Sequence, residues 1–117
     1  MAIIAQAKIT EMDYIIEDDR ESESPTVFKI RPLDGQQYMG VMAEANMTSD
    51  GDMTFSESTM KKTLRYGLTG WNNFPDADGK DVKFSRVNFG RIPVEGLTEL
   101  FSEIIRVSSM SEDETKN

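Results

Sequence analysis

The chain has no cysteine and no histidine in its 117 residues. Without cysteine it has no disulfide, no thiolate nucleophile and no Cys/His zinc site, and without histidine it has no imidazole general base. Catalysis would depend on carboxylates, lysine or tyrosine alone. We therefore expect a protein that is not an enzyme and that holds no cofactor or metal.

Basic residues are few, because 13 lysines and arginines stand against 21 acids, which gives a formal net charge of −8. Phosphate backbones and anionic membrane surfaces repel such a chain, so we expect it to bind neither nucleic acid nor membrane. Long apolar runs are also lacking. The start, MAIIAQAKITEMDY, has no basic segment before its short apolar run, and no stretch approaches the roughly 20 apolar residues of a membrane span. The expectation is a soluble cytosolic protein.

The length and the apolar content of 38% fit one small domain. Residues 9–16 and the alternating segment 26–30 predict two strands of a hairpin, joined by the acidic loop 17–24. We expect this hairpin to pack against helices, because two strands alone are marginally stable. The predicted fold is α+β and mainly helical, with an N-terminal β-hairpin or small sheet and an amphipathic C-terminal helix. Residues 1–110 are expected to form the domain, and residues 111–117 an acidic flexible tail.

Two helices are predicted in the middle of the chain. Asp34 is a suitable N-cap for the first helix. For the second helix, Thr54 and Glu57 have the spacing of a capping box. The sequence GLTGW, residues 67–71, predicts a corner that ends this helix, because glycine is a frequent helix terminator. The second helix also has a basic face, which is expected to balance nearby acids and consists of Lys61, Lys62 and Arg65.

The C-terminal third of the chain contains the clearest helical pattern. A short strand is predicted at residues 82–84, followed by a short helical stretch that Ser85 caps. Pro93 then suits the first turn of a longer helix. Apolar residues recur along that helix with helical spacing, at Leu97, Leu100, Phe101, Ile104 and Ile105. The opposite face is acidic and consists of Glu95, Glu99 and Glu103.

The Asp-rich loop before Gly79 lacks the spacing of a calcium-binding loop. When Gly79 takes the sixth position of such a loop, Phe74 falls at the first position and Ser85 at the twelfth. Both of those positions require oxygen ligands that bind calcium directly, the twelfth being a bidentate glutamate. The segment therefore predicts a tight turn between a helix and a strand.

Four segments resemble the small tail assembly chaperones of long-tailed, siphovirus-type bacteriophages. FKIRPLDGQQYMGVM resembles their strand, Arg-Pro-Leu and helix opening, and LTGWNNFPDADGKDVKFS is similar to their Gly-Trp, Asp-Gly turn and hydrophobic-x-Phe-Ser pattern. VNFGRIPVEGLTELFSEI resembles the amphipathic helix that follows, and SMSEDETKN resembles the acidic ending. The resemblance covers residues 26–117. Asn72 departs from it, because a basic residue is more usual after the tryptophan.

The resemblance implies a non-enzymatic protein of the host cell cytoplasm, which coats the aggregation-prone tape-measure protein before the tail tube polymerises around it. It also implies a longer form made by a translational frameshift, whose added domain recruits the tail tube protein; residues 115–117 are compatible with a slippery run of A in the gene. Assembly into a homo-oligomer stays open. The residues expected at the partner surface are Met39, Met42, Trp71 and Phe74, with a buried core role as the alternative for Trp71.

Two other functions stay open at this point. A structural tail protein, such as a tube or tail-completion subunit, would remain in the virion, whereas a chaperone would be absent from it. A small acidic inhibitor of a host defence protein would use the acids of residues 17–24 to mimic nucleic acid.

Overall fold

The computed structural model describes residues 3–5 and 10–109. In chain order the strands and helices are β1 (Met12–Tyr14), β2 (Val27–Ile30), α1 (Gly35–Ala43), β3 (Asn46–Met47), β4 (Met53–Thr54), α2 (Glu57–Gly67), β5 (Leu68–Asn72) and α3 (Val94–Ser108). Two 3-10 helices are formed by Glu17–Asp19 and Arg86–Arg91. The predicted α+β class, with a C-terminal amphipathic helix, is confirmed.

A three-stranded antiparallel sheet is built around β2, in the order β1-β2-β5. The predicted N-terminal hairpin is confirmed, since Tyr14 of β1 lies opposite Phe28 of β2. On the other side of β2, Phe28 lies opposite Trp71. Its alternate residues Phe28 and Ile30 are buried at 2% and 0% exposure, because a period of two places both on the face that meets the helices.

The segment predicted as a helix-ending corner contains β5, and the sequence pattern did not indicate this strand. The helix does end at Gly67, but the chain then enters the sheet directly at Leu68. Two glycines within five residues are signals for a turn, and they obscured the strand. A register shift between Lys29 and Ile30 of β2 also breaks the strict alternation that would have revealed β5.

The start of α1 is as predicted, whereas the start of α2 is different. Asp34 accepts the backbone N–H of Gln37, and the Gln37 side chain accepts the backbone N–H of Asp34 in return. The N-cap of α2 is Ser56, whose hydroxyl accepts the N–H of Thr59 at 3.2 Å. The prediction of Thr54 was wrong, because Thr54 belongs to β4 and pairs with Asn46 in a two-stranded ribbon.

The strand predicted at residues 82–84 is also absent from the described structure. Only an isolated bridge joins Pro75 and Asp81, and Val82 follows in irregular backbone. The N–H of Val82 donates to the Phe74 carbonyl at 2.7 Å. Ser85 caps the following 3-10 helix as predicted, since its hydroxyl accepts the N–H of Asn88.

Helix α3 covers the core through one face and packs against α2. The buried residues of α3 are Gly96, Leu100, Phe101, Ile104 and Val107, while Leu97 and Ile105 are partly buried against the same core. Pro93 lies one position earlier than predicted, at the N-cap. The acidic face is less solvated than predicted, because Glu99 and Glu103 are half-buried and only Glu95 of the three is exposed.

The Asp-rich loop forms the predicted tight turn, followed by irregular backbone. Asp76 Oδ1 accepts the N–H groups of Asp78 and Lys80 at 2.9 and 3.0 Å, and Gly79 has a φ of 81°. One carboxylate oxygen of Asp76 thus stabilises its own turn. Across residues 3–5 and 10–109, no three acidic side chains are grouped closely enough to hold a metal ion. The predicted acidic tail, residues 111–117, lies outside the described residues.

Candidate partner-binding groove

Trp71 lies inside the core, at 8% exposure. Its ring makes edge-on contacts with Phe74 and Phe84 at centroid distances of 5.2 and 4.8 Å. The indole Nε1 donates a 2.7 Å hydrogen bond to the Val82 carbonyl, so the one polar atom of the ring is satisfied. This position corresponds to the alternative interpretation of Trp71 as a core anchor.

The other three residues predicted at the partner surface have different environments. Phe74 is half-buried, and it lines a depression of about 350 Å³ together with Asp18 and Asp19. Met42 packs against the core, whereas Met39 is 74% exposed. The structure brings Trp71 and Phe74 into contact, and of the four it leaves only Met39 fully accessible.

Two more methionines are exposed side by side on the β3–β4 ribbon. Met47 and Met53 are paired across the two strands, with exposures of 67% and 49%. Methionine is polarizable and flexible, which suits it to surfaces that accept varied apolar partners. The sequence showed the excess of methionine but did not indicate this pairing.

An open groove of about 480 Å³ lies between α2, the Arg86–Arg91 3-10 helix and the first turn of α3. We call it the α2–α3 groove. Its apolar floor consists of Leu64, Phe89 and Leu97, and Val87 adds an apolar side chain at the rim. Leu64 is buried at 5% exposure, whereas Val87 is 89% exposed at the rim. An apolar surface that is open to solvent in this way fits a protein segment.

The rim of the α2–α3 groove is basic, although the chain as a whole is acidic. Lys61, Arg65 and Arg86 line it. Lys61 forms an exposed salt bridge with Glu57 at 2.7 Å. Within the described part of the chain, no ion pair is formed by Arg65 or Arg86. The groove therefore combines an apolar floor with two arginines that form no ion pair with any described residue and can meet a carboxylate of a partner.

Comparison of this chain with protein-family models, curated proteins and solved structures finds no match. A search of the described helices for a span that could cross a bilayer also finds none.

One side of the groove, the basic face of α2, is visible in the sequence. The basic face of α2 was predicted to balance local acids, and Lys61 and Lys62 do pair with Glu57 and Glu44. Arg65, one turn after Lys61 on α2, instead faces the groove. Only the fold brings α2 next to Arg86, so spacing along the chain could not reveal the cluster.

Proposed function

We propose that this protein is a tail assembly chaperone of a long-tailed bacteriophage, which binds the tape-measure protein and keeps it soluble until the tail tube forms. The observation that carries the proposal is the α2–α3 groove, an apolar surface open to solvent on a small acidic chain. A chaperone of this kind needs an apolar surface for its client and enough charge elsewhere to keep the complex in solution.

The resemblance of residues 26–117 to this family supplies the identity of the client. The four segments that carry the resemblance include the N-cap of α1, the strand β5 and α3 as far as Ile104. Of the residues that line the groove, Val87, Phe89, Gly90 and Leu97 lie within one of those segments, whereas the α2 residues and Arg86 lie outside them. The proposed binding surface and the recognisable sequence therefore overlap in part.

The proposal is tested by co-expressing the chain with the tape-measure protein of the same genome. We expect the tape-measure protein to remain in the soluble fraction and to copurify with the chain. Val87→Glu should reduce this solubilisation at least severalfold, because it places a charge at the apolar part of the groove rim. Val87 is 89% exposed, so the substitution should leave the fold intact.

Val94→Glu is the matched control, since Val94 is also an exposed valine, at 68%, and does not line the groove. A tape-measure protein that precipitates whether or not the chain is present would contradict the proposal. Mass spectrometry of purified virions separates the proposal from a structural tail protein, because only a structural subunit would be found in the particle.

A further inference from the structure

We infer that the α2–α3 groove binds an amphipathic α-helix whose apolar stripe is flanked by aspartate or glutamate. The inference names the kind of client segment that the chain recognises, and it rests on the proposed function for the identity of the client. It follows from the floor of the groove, the charge of its rim and the backbone at its edge.

The floor of the groove favours a helix with a narrow apolar stripe. Leu64 and Leu97 come from two packed helices, and Phe89 comes from the 3-10 helix beside them. Apolar side chains contributed by two packed helices and a 3-10 helix form the kind of surface on which an amphipathic helix places its residues i, i+3 or i+4, and i+7. Val87 extends the apolar surface outward at the rim.

The charge of the rim selects the flanks of that helix. Arg65 and Arg86 border the groove and are exposed, and among the described residues neither forms an ion pair. Charges act mainly within about 8–10 Å at physiological salt, so a bound segment experiences these arginines more than distant acids. Electrostatic complementarity then favours a helix with carboxylates beside its apolar stripe.

This preference is opposite to the one that the whole molecule would show. A formal net charge of −8 attracts cationic peptides and repels acidic ones. A measured preference for an acidic peptide therefore identifies the groove as the binding site, whereas a preference for a basic peptide indicates attraction by the overall charge.

Gly90 permits a close approach at the edge of the groove. A β-carbon built at Gly90 would have no atom within 4 Å from the other described residues, its two chain neighbours aside, and Gly90 lines the groove. Its missing side chain thus leaves space that an occupant can use. Gly90→Leu should fill this space and weaken binding about tenfold or more, because a bulky group would meet the docked helix. Gly40→Leu is the control, since a β-carbon there also meets nothing, on a helix that does not line the groove.

The test uses two synthetic helical peptides of about 20 residues with the same leucine stripe, flanked in one by glutamate and in the other by lysine. Fluorescence anisotropy with the full chain should give about tenfold tighter binding of the glutamate peptide. The double variant Arg65→Glu/Arg86→Glu should reverse the order of the two peptides. A control, Lys80→Glu/Lys83→Glu, makes the same change of net charge at exposed lysines that do not line the groove, and it should keep the original order.

Tighter binding of the lysine peptide by the unmodified chain would overturn the inference, and so would an order that the arginine variant leaves unchanged. Concentration-dependent self-association that the arginine variant abolishes would also overturn it, since a second copy would then be the occupant. Replacing Glu112, Asp113 and Glu114 by their amides tests whether these acidic residues of the chain compete with the peptide for the groove. A large gain in affinity for the glutamate peptide would assign the groove to those residues instead.

The two proposals fail in distinguishable ways. A tape-measure protein that stays soluble with the Arg65→Glu/Arg86→Glu variant as well as with the original chain would remove the groove inference and leave the chaperone function standing. A clear preference for the glutamate peptide, together with a tape-measure protein that precipitates in the presence of the chain, would remove the chaperone function and leave the groove inference standing.

Discussion

The phenolic hydroxyl of Tyr14 donates a 2.5 Å hydrogen bond to Oε2 of Glu99 and so joins β1 to α3 across 85 positions of the chain. The same oxygen accepts the backbone N–H of Glu17 at 2.8 Å. Burial of the phenol, and then the adjoining Glu99 carboxylate, raise the pKa of Tyr14 to about 12. The protonated tyrosine is therefore the form that the folded protein prefers.

The first prediction concerns this tyrosine and alkaline pH. An unfolded tyrosine has a pKa of about 10, so the stability that the raised pKa contributes is fully present below pH 10. It is lost as the pH rises from about 10 to 12, because the unfolded chain then releases a proton that the folded chain retains. Urea unfolding of the original chain and of Tyr14→Phe should differ by about 1–3 kcal/mol at neutral pH.

That difference should shrink across the alkaline range. Lysines titrate in the same range, but they are common to both proteins and cancel in the comparison. A difference in unfolding free energy that stays constant from pH 8 to pH 12 would contradict the role given to the Tyr14 hydroxyl.

A second prediction concerns the contact between α2 and α3. A β-carbon at Gly67 would lie 2.6 Å from Cγ2 and 2.8 Å from Cδ1 of Ile104. Gly67→Ala should therefore lower the free energy of unfolding by about 1–3 kcal/mol, because the packed core has no room for the methyl group. Gly40→Ala should instead raise it by about 0.5–1 kcal/mol, since its site in α1 is open.

The steric cause can be checked by a double-mutant cycle with Ile104→Ala. Removing the isoleucine side chain makes room for the new methyl group, so the combined variant should lose less stability than the two single variants added together. Strict additivity would mean that the contact with Ile104 is not the reason for the loss.

A third prediction separates two methionines that were expected at the partner surface. Met39→Glu should change the unfolding free energy by less than about 0.5 kcal/mol, because the side chain is 74% exposed. Met42→Glu should lower it by about 1–3 kcal/mol, because Met42 packs against the core and a charge there loses its hydration. Thermal unfolding followed by circular dichroism measures both variants, and equal effects would contradict these placements.

A fourth prediction uses the only tryptophan of the chain. Trp71 is buried and in ring contact with Phe89, which lines the α2–α3 groove at a centroid distance of 6.0 Å from it. Its fluorescence should be blue-shifted in the folded chain, resist quenching by iodide and change when a peptide occupies the groove. Trp71→Phe should lower the unfolding free energy by about 2–4 kcal/mol, because the buried Val82 carbonyl loses its hydrogen bond and the smaller ring leaves a cavity. Emission that is red-shifted and fully quenchable would contradict the buried position.

Local signals allowed part of the fold to be predicted. The N-cap at Asp34 and the helical period of α3 depend on residues within a few positions of each other, and both predictions are confirmed. The strand β5 depends on pairing with β2, some 40 positions earlier, and its glycines favoured a turn locally. Long-range pairing therefore overrode the local signal.

The binding surface was harder to predict than the fold. Trp71 was a natural candidate because it is unique and stands among polar residues, yet its ring and its Nε1 are both satisfied inside the core. The α2–α3 groove depends on Arg65 and Arg86, whose neighbours along the chain give no reason to bring them together. A cluster of this kind becomes visible only once the helices are placed.

The position of α3 after the sheet and α2 in the chain has a consequence for synthesis on the ribosome. Leu100 and Ile104 are fully buried at 0% exposure, and the Ser108 hydroxyl accepts the N–H of Leu33 at 2.8 Å, near the far end of the helix. A nascent chain that has emerged only as far as Ile92 must leave the sheet and α2 without their cover, open to proteases and to aggregation. The core of this domain can therefore close only after α3 has left the exit tunnel.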